Sequence, residues 1–402
     1  MNRENKSVCL VASGISEENL RLQPWRYLYE ICNGLASRGH RVTIISDGTT
    51  REPDHELSTG ISITRLPSVR NPLWRKNALL LETLSLIGPD VIIWHVGIIS
   101  FLFQSFTGPP GTPVIGVFTS PLYNSWELSH LGLSNLLRSY RFTGIHVISS
   151  LVPRWLIRNL MGKEEFLSLV VQTETTRKKF VEQVLWKKPI LVIRPGVDDV
   201  WKNSSVIQKN KIRESLKFKP EDKVVVFYGS ATSLRGLPTL IQSFSIACGS
   251  DPSLKLLILR RFRSGEMSEE NADVDRLISN NQFRNNIHLI DGFLDPIDLV
   301  RYISAGDVVA LPFELIPSDA PLSILEVGTF GMPLVTTRVA CLPELASYGI
   351  HYLSDPADPG ALADTLLQAV GEKYRDGLQE KVLWQRSWDD MAIEWSQLVE
   401  AV

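Results

Sequence analysis

Two stretches of the sequence bring together groups able to hold a doubly charged anion. The first, Tyr228-Gly229-Ser230-Ala231-Thr232-Ser233-Leu234-Arg235-Gly236, follows an apolar run, Val224–Tyr228, and precedes a helical pattern. Its small residues let backbone N–H groups approach an oxyanion, and Arg235 offers a two-pronged phosphate donor. Read alone, the stretch is equally a plain strand-to-helix turn with a surface arginine. The second follows the strand-like Val308–Leu311 and runs from Pro312 to Glu326. Asp319 is expected there as a helix N-cap and Pro321 in the first turn, where its missing N–H costs nothing. Free N–H groups at Leu322 and Ser323 would then face the cleft beside Arg235, as a diphosphate site requires. Glu326, four residues past Leu322, shares its helix face and could accept hydrogen bonds from a ribose diol. A solvated carboxylate is the plainer alternative, and apolar Ile324, Leu325 and Val327 weigh against it.

These loops need sheets to carry them. Val8–Ala12, a helical stretch with Tyr27, Leu28, Ile31 and Leu35 in register, and Val42–Ile45 make one βαβ unit, so a parallel sheet is expected. Ile61–Leu66, Val91–Trp94, Val114–Val117, Gly144–Ser149, Ser168–Gln172 and Leu191–Ile193 continue the strand series. The pattern restarts at Val224–Tyr228 and repeats through Leu254–Leu259, Ile287–Ile290, Val308–Leu311 and Leu334–Thr337. The chain therefore divides into an N-terminal α/β domain, 1–198, and a C-terminal one, 199–383. A terminal helix, 384–402, follows. Ligands of such sheets sit beyond the carboxyl ends of the strands, which puts the two loops above in a cleft between domains. His95, after Val91–Trp94, either reaches that cleft or packs structurally.

The segment from Asp319 to Thr337, with Ala320, Pro321, Leu322, Ser323 and Glu326 in place, resembles the donor-binding signature of the family 4 glycosyltransferases of the GT-B fold. Gly34–Thr43, Ile193–Asp198, Arg235–Ile241 and Leu342–Leu345 agree in order. The resemblance implies an α/β GT-B enzyme with two Rossmann-like domains whose parallel sheets face an interdomain cleft. It implies a nucleotide-diphosphate sugar on the C-domain, gripped by the Leu322 and Ser323 amides, Arg235 and Glu326. A saccharide or lipid-linked acceptor would approach from the N-domain, and transfer would retain anomeric configuration without a metal or other cofactor. The terminal helix is expected to return to the N-domain, with closure about residues 196–200. Gly14, in the first strand-to-helix loop, is where the family brings backbone close to the donor phosphates; a simple turn explains it equally. Three positions depart from the pattern. The glutamate expected eight residues before Glu326 is Ser318, with Asp319 beside it as a substitute. The phosphate arginine after Gly229 is Ser230. The histidine after Val114–Phe118 is Thr119, which leaves His95 on a neighbouring loop as the alternative.

Composition bounds the remaining options. Across 402 residues, 44% hydrophobic and 21% charged residues are ordinary globular values. Residues 1–198 hold 22 Lys+Arg against 16 Asp+Glu, and the rest hold 20 against 28, so neither half is basic enough for nucleic acid. Cys9, Cys32, Cys248 and Cys341 have no ligand-like spacing and fit free thiols of a reducing cytoplasm. Asp273-Val274-Asp275, an Asp-x-Asp in an acidic helical run, reads as a solvated face rather than a metal site. Arg260-Arg261-Phe262-Arg263 either adds charge to the donor site or lies in solvent. From Leu128 to Lys163 no Asp or Glu occurs, while Arg138, Arg141, Arg154, Arg158 and Lys163 alternate with aromatic and aliphatic residues. That suits peripheral contact with the anionic inner face of a membrane, although part of it is expected as core. A non-catalytic, sugar-nucleotide-binding partner subunit is the rival reading. A dinucleotide oxidoreductase is disfavoured, because no Gly-x-Gly-x-x-Gly follows a strand.

Overall fold

A run such as Ser7–Val11, in which every residue is buried, fits a parallel sheet covered on both faces. The computed structural model describes residues 5–48, 52–69, 77–97, 108–131, 140–161, 165–202, 209–261, 269–372 and 384–402, and contains two such sheets. The first comprises β1 (Ser7–Val11), β2 (Arg41–Asp47), β3 (Glu52–Ser58), β4 (Ile61–Leu66), β5 (Val91–Val96), β6 (Val114–Phe118), β7 (Phe166–Val171) and β8 (Ile190–Val192). Their spatial order is β3-β4-β2-β1-β5-β6-β7-β8. All its described pairs are parallel except β3 with β4, an antiparallel edge strand that the sequence pattern does not announce. The second comprises β9 (Lys223–Gly229), β10 (Leu254–Arg260), β11 (Ile287–Asp291), β12 (Val308–Ala310), β13 (Leu334–Thr337) and β14 (His351–Ser354). It is parallel throughout, in the order β11-β10-β9-β12-β13-β14.

Strand order reverses at two places, and those places position the chemistry. β1 lies between β2 and β5, and β9 lies between β10 and β12. Loops leaving adjacent strands toward opposite faces open a crevice at such a point. The loops after β9 and β12 are the two anion-binding candidates. His95, expected on a loop after Val91–Trp94, lies within β5 instead, because the strand runs on to Val96 and pairs His95 with Val117 of β6; Thr119 opens the loop after β6.

Residues Gly144–Ser149, expected as a strand, lie instead in the helix Tyr140–Leu151. His146, Ser149 and Val152 are buried at three-residue spacing while Ile148 and Leu151 point outward, a helical division that overrides the β-branched composition. The helix Trp388–Glu400 packs on the N-domain: Met391, Trp395 and Val399 share a core with Tyr27, Ile31 and Leu35. A Cβ on Gly34 would fall 2.2 Å from Ala392 Cβ, so a bare glycine lets the two helices touch. The chain crosses between domains twice, side by side. The Val197 N–H donates to Arg386 O at 3.0 Å, and Gly196 passes so near Trp388 that a Cβ there would lie 2.2 Å from its nitrogen.

Candidate active site

The C-domain half of the site starts at the end of β9. Gly229 has φ +134°, and a Cβ built on it would sit 2.0 Å from Arg235 Nη1. Only glycine there leaves room for the guanidinium to fold back over the strand end. Arg235 Nη1 donates to Tyr228 O at 3.2 Å, and its Cζ lies 5.2 Å from the Phe313 ring centre. Burial, helped by the like charge of Arg261, lowers its pKa to about 10, so it remains a cation at neutral pH. It forms no ion pair among the described residues, although Glu326 contributes a favourable field. Ser230 Oγ stands 3.4 Å from Thr232 Oγ1 within the same loop.

The helix Leu322–Phe330 has Pro321 as its N-cap, with φ −61° and ψ 117°, and no side chain caps it. That corrects the expectation for Asp319. Its first turn therefore keeps the positive end of the helix dipole uncompensated, between the loops that carry Arg235 and Asp319. Ser323 Oγ is buried without a partner among the described residues. Tyr228 Oη lies 2.7 Å from Ser323 O and 3.0 Å from Glu326 Oε2, and its ring stacks on Trp201 at 6.1 Å. The hydroxyl fixes Glu326 on the helix face turned toward β9. Burial raises the Glu326 pKa to about 7, the Tyr228 hydrogen bond opposing it.

Asp319 does something else. Its side chain is fully buried, and it accepts from the Gln172 N–H at 3.1 Å and from the Thr173 and Thr176 hydroxyls at 2.9 and 2.5 Å. All three donors belong to the N-domain. Its carboxylate is thereby an interdomain tie, committed where the sequence suggested a grip on sugar hydroxyls. Burial pushes its pKa up to about 6 despite those bonds. Glu344 adds a second tie, accepting from the Glu174 and Thr175 N–H groups at 3.0 and 2.7 Å. Tyr123 adds a third, its hydroxyl exchanging hydrogen bonds with Ile316 N and O at 3.0 and 3.2 Å.

The N-domain half is compact. His95 Nε2 lies 2.8 Å from Thr119 Oγ1, so two residues considered as alternatives form one pair. Thr119 O accepts the Asp319 N–H at 2.6 Å, which seats the pair against Ser318, Asp319 and Ala320. Ser318 Oγ is buried and has no partner among the described residues. Gly14, with φ +77°, has a Cβ position 3.0 Å from Trp25 Nε1 and a carbonyl bonded to Asn19 Nδ2. Its recorded partners are all in the N-domain.

Residues with no role assigned from sequence complete the seam: Tyr228, Glu344, Gln172, Thr173 and Thr176. The signal for Thr173 was present, since it caps the helix Glu174–Lys179 through the Thr176 N–H, as a threonine after a strand should. Arg260 is withdrawn from the site, buried and paired with Asp291 and Asp275. The Asp-x-Asp is divided between ion pairs, Asp273 with Arg276 and Asp275 with Arg260. Phe262 and Arg263 lie outside the described residues, and no group of three metal-ligating side chains occurs among those described. A surface cavity of about 610 Å³ opens at the opposite, amino ends of the C-domain strands; its cations Lys209 and Arg213 already pair with Asp307.

Comparison with known proteins bears on the family and the fold. A family model described as Glycosyltransferase Family 4 matches residues 25–201, and one described as Glycosyl transferases group 1 matches residues 208–381. An uncharacterised glycosyltransferase of Methanocaldococcus jannaschii is 23% identical over 388 residues, covering 90% of each chain. A glycosyltransferase from Rickettsia africae superposes with a TM-score of 0.67 at 15% identity, over 99% of this chain and 98% of that one. An Anabaena protein crystallised with UDP and glucose does so with a TM-score of 0.60 at 14% identity, over 99% and 98%.

Proposed function

We propose, from the premise that this chain belongs to the GT-B glycosyltransferases of the family 4 type, that it moves a sugar from a nucleotide-diphosphate donor to a saccharide or lipid-linked acceptor. Transfer retains configuration and needs no metal. The observation that carries this reading is the uncapped start of the helix Leu322–Phe330 beside an arginine with no carboxylate partner among the described residues. Backbone N–H groups and a cation converging on one spot complement a pyrophosphate, and they complement it best as it leaves with growing charge. The similar Anabaena protein, crystallised with UDP and glucose, favours a uridine donor.

Each residue then has a task. The Leu322 and Ser323 amides and Arg235 hold the diphosphate, and Glu326, set by Tyr228, accepts from the ribose. The acceptor hydroxyl oxygen attacks the anomeric carbon on the face the diphosphate leaves. The bond from that carbon to the β-phosphate oxygen breaks, and the hydroxyl proton passes to the departing phosphate. Asp319 is tied across the seam, so it is not assigned as a nucleophile. The His95–Thr119 pair faces the sugar.

A second reading concerns where the acceptor resides. Trp126 is 85% exposed, Leu151 68%, Trp155 56% and Ile148 54%, the last three on the successive helices Tyr140–Leu151 and Arg154–Met161. An acid-free stretch with outward aromatic and aliphatic groups suits an anionic bilayer surface. Arg158 is exposed, but Arg154 is turned inward to Tyr123 O. Arg138 and Lys163 lie outside the described residues, as does the Arg141 side chain. No helix among the described residues is long and apolar enough to cross a membrane.

A melting screen against UDP, GDP, ADP and TDP in EDTA tests the donor site. One nucleotide at a hundred times its Kd should stabilise the protein by about 2.7 kcal/mol. Arg235→Ala should abolish that shift, and Arg235→Ala and Glu326→Ala should each cut turnover at least roughly tenfold. No shift with any nucleotide, or wild-type turnover in either variant, would remove the assignment.

A further inference from the structure

Trp201, 2% exposed, sits in the single turn Asp199–Trp201 that leads the chain from the N-domain into the C-domain. Its indole packs in two directions. It stacks on Tyr228 at 6.1 Å with the ring planes 30° apart, and it meets Phe330 edge-on at 6.3 Å. Tyr228 lies near the end of β9, and Phe330 lies four residues past Glu326 on the helix Leu322–Phe330. The indole therefore braces both elements whose side chains meet in the Tyr228–Glu326 hydrogen bond.

The same turn is anchored on the other domain. The Trp201 N–H donates to Asp198 O at 3.1 Å, and Asp198 Oδ1 accepts from Arg26 Nη2 and Trp388 Nε1, each at 2.9 Å. Arg26 belongs to the N-domain helix Trp25–Ser37 and also pairs with Glu30, while Trp388 opens the terminal helix that packs on that domain. Asp198 is also within electrostatic reach of the donor site: burial chiefly raises the Glu326 pKa, and the Asp198 charge adds to it. A packed side chain held at both ends in this way can carry movement from one to the other. We propose that Trp201 is a positioning residue for the donor's ribose, a wedge through which the seating of the N-domain on Asp198 sets the Tyr228–Glu326 pair. This rests on the donor reading above, in which Glu326 accepts from the ribose. When the domains part, Arg26 draws Asp198 with it, the indole tilts, and Glu326 loosens. The Leu322 and Ser323 amides and Arg235 all belong to one domain, so the grip on the diphosphate is indifferent to that movement. The nucleoside, not the pyrophosphate, senses closure.

Calorimetry with UDP, GDP, ADP and TDP, and with inorganic pyrophosphate in competition against the nucleotide that binds, tests this. Trp201→Leu should weaken that nucleotide about tenfold and leave pyrophosphate within about twofold. Trp201→Phe, which keeps an aromatic face on Tyr228, should stay within about threefold for both. In a Glu326→Ala background Trp201→Leu should cost less than about twofold more, because its effect runs through that carboxylate. Arg26→Ala leaves the C-domain core intact and should weaken the nucleotide about threefold with pyrophosphate unchanged, so it carries the test if Trp201→Leu does not fold. Equal losses of nucleotide and pyrophosphate, or full additivity of Trp201→Leu with Glu326→Ala, would make Trp201 merely structural and overturn the proposal. An Arg26→Ala protein that binds the nucleotide as the wild type does would overturn it too. A wild-type protein that binds no nucleotide, or no pyrophosphate, would instead bring down the donor reading itself.

Discussion

Replacing Asp319 with alanine removes the one carboxylate that accepts from the Gln172 N–H and the Thr173 and Thr176 hydroxyls inside a fully buried seam. Each donor left unpaired there costs roughly 1–3 kcal/mol, and because neighbours relax together the three come to about 3–5 kcal/mol. The Tyr123–Ile316 and Glu344 ties remain and resist opening, but without the Asp319 tie the domains can shed part of this cost by parting until water reaches the donors. Small-angle scattering should therefore report a larger radius of gyration. The melting temperature should drop by several degrees, at roughly 2–4 °C per kcal/mol for units of this size. Asp319→Asn separates charge from shape. Burial raises the Asp319 pKa from 3.8 to about 6, so the closed protein holds this proton more tightly than an opened or unfolded one. Its stabilising contribution is full below about pH 4 and falls by about 3 kcal/mol as pH rises through 6. Denaturant unfolding at pH 4 to 7 should show that loss in the wild type and not in Asp319→Asn. A pH-independent difference between them, together with unchanged scattering for Asp319→Ala, would refute the reasoning.

Glu326 gives a second pH signature. Burial raises its pKa to about 7, and the ionised form accepts on both oxygens through stronger, charge-assisted bonds, so nucleotide affinity should climb as pH rises through 7. Titration calorimetry at pH 6 and 8 should show the climb, and Glu326→Gln should flatten it; a Gln variant that tracks the wild type would discount the ribose contact. Vesicle flotation addresses the exposed face of the N-domain. The protein should rise with phosphatidylglycerol-containing vesicles at low salt and less at high salt, and Trp155→Glu should weaken the association. Absence of binding to anionic vesicles at low salt would dismiss it.

Much of the scaffold is written locally in the chain. Apolar, β-branched runs of five to seven residues became β1, β2, β5, β6, β9 and β10 because a parallel sheet buries both sides of each strand. Where burial and composition disagreed, composition misled: Gly144–Ser149 looks like a strand, yet its buried residues fall three apart. The Arg235 loop and the start of the helix at Leu322 were legible for the same local reason, each being a strand, a few small residues and a helix. Asp319 was not. An aspartate just before a helix is locally an N-cap, but its actual partners lie 143 to 147 residues earlier in the sequence. Nothing nearby in the chain announces a contact that only domain closure creates, and the same holds for Glu344 and Gln172.

The returning helix Trp388–Glu400 has a consequence for biosynthesis. A ribosome emits the whole C-terminal domain before it emits Met391, Trp395 and Val399, the residues that seal one wall of the N-terminal domain. Until then Tyr27, Ile31 and Leu35 have an open flank, and the nascent first domain carries a greasy groove shaped for a segment not yet made. The two halves cannot mature independently, and the early one depends on the late one for its last layer.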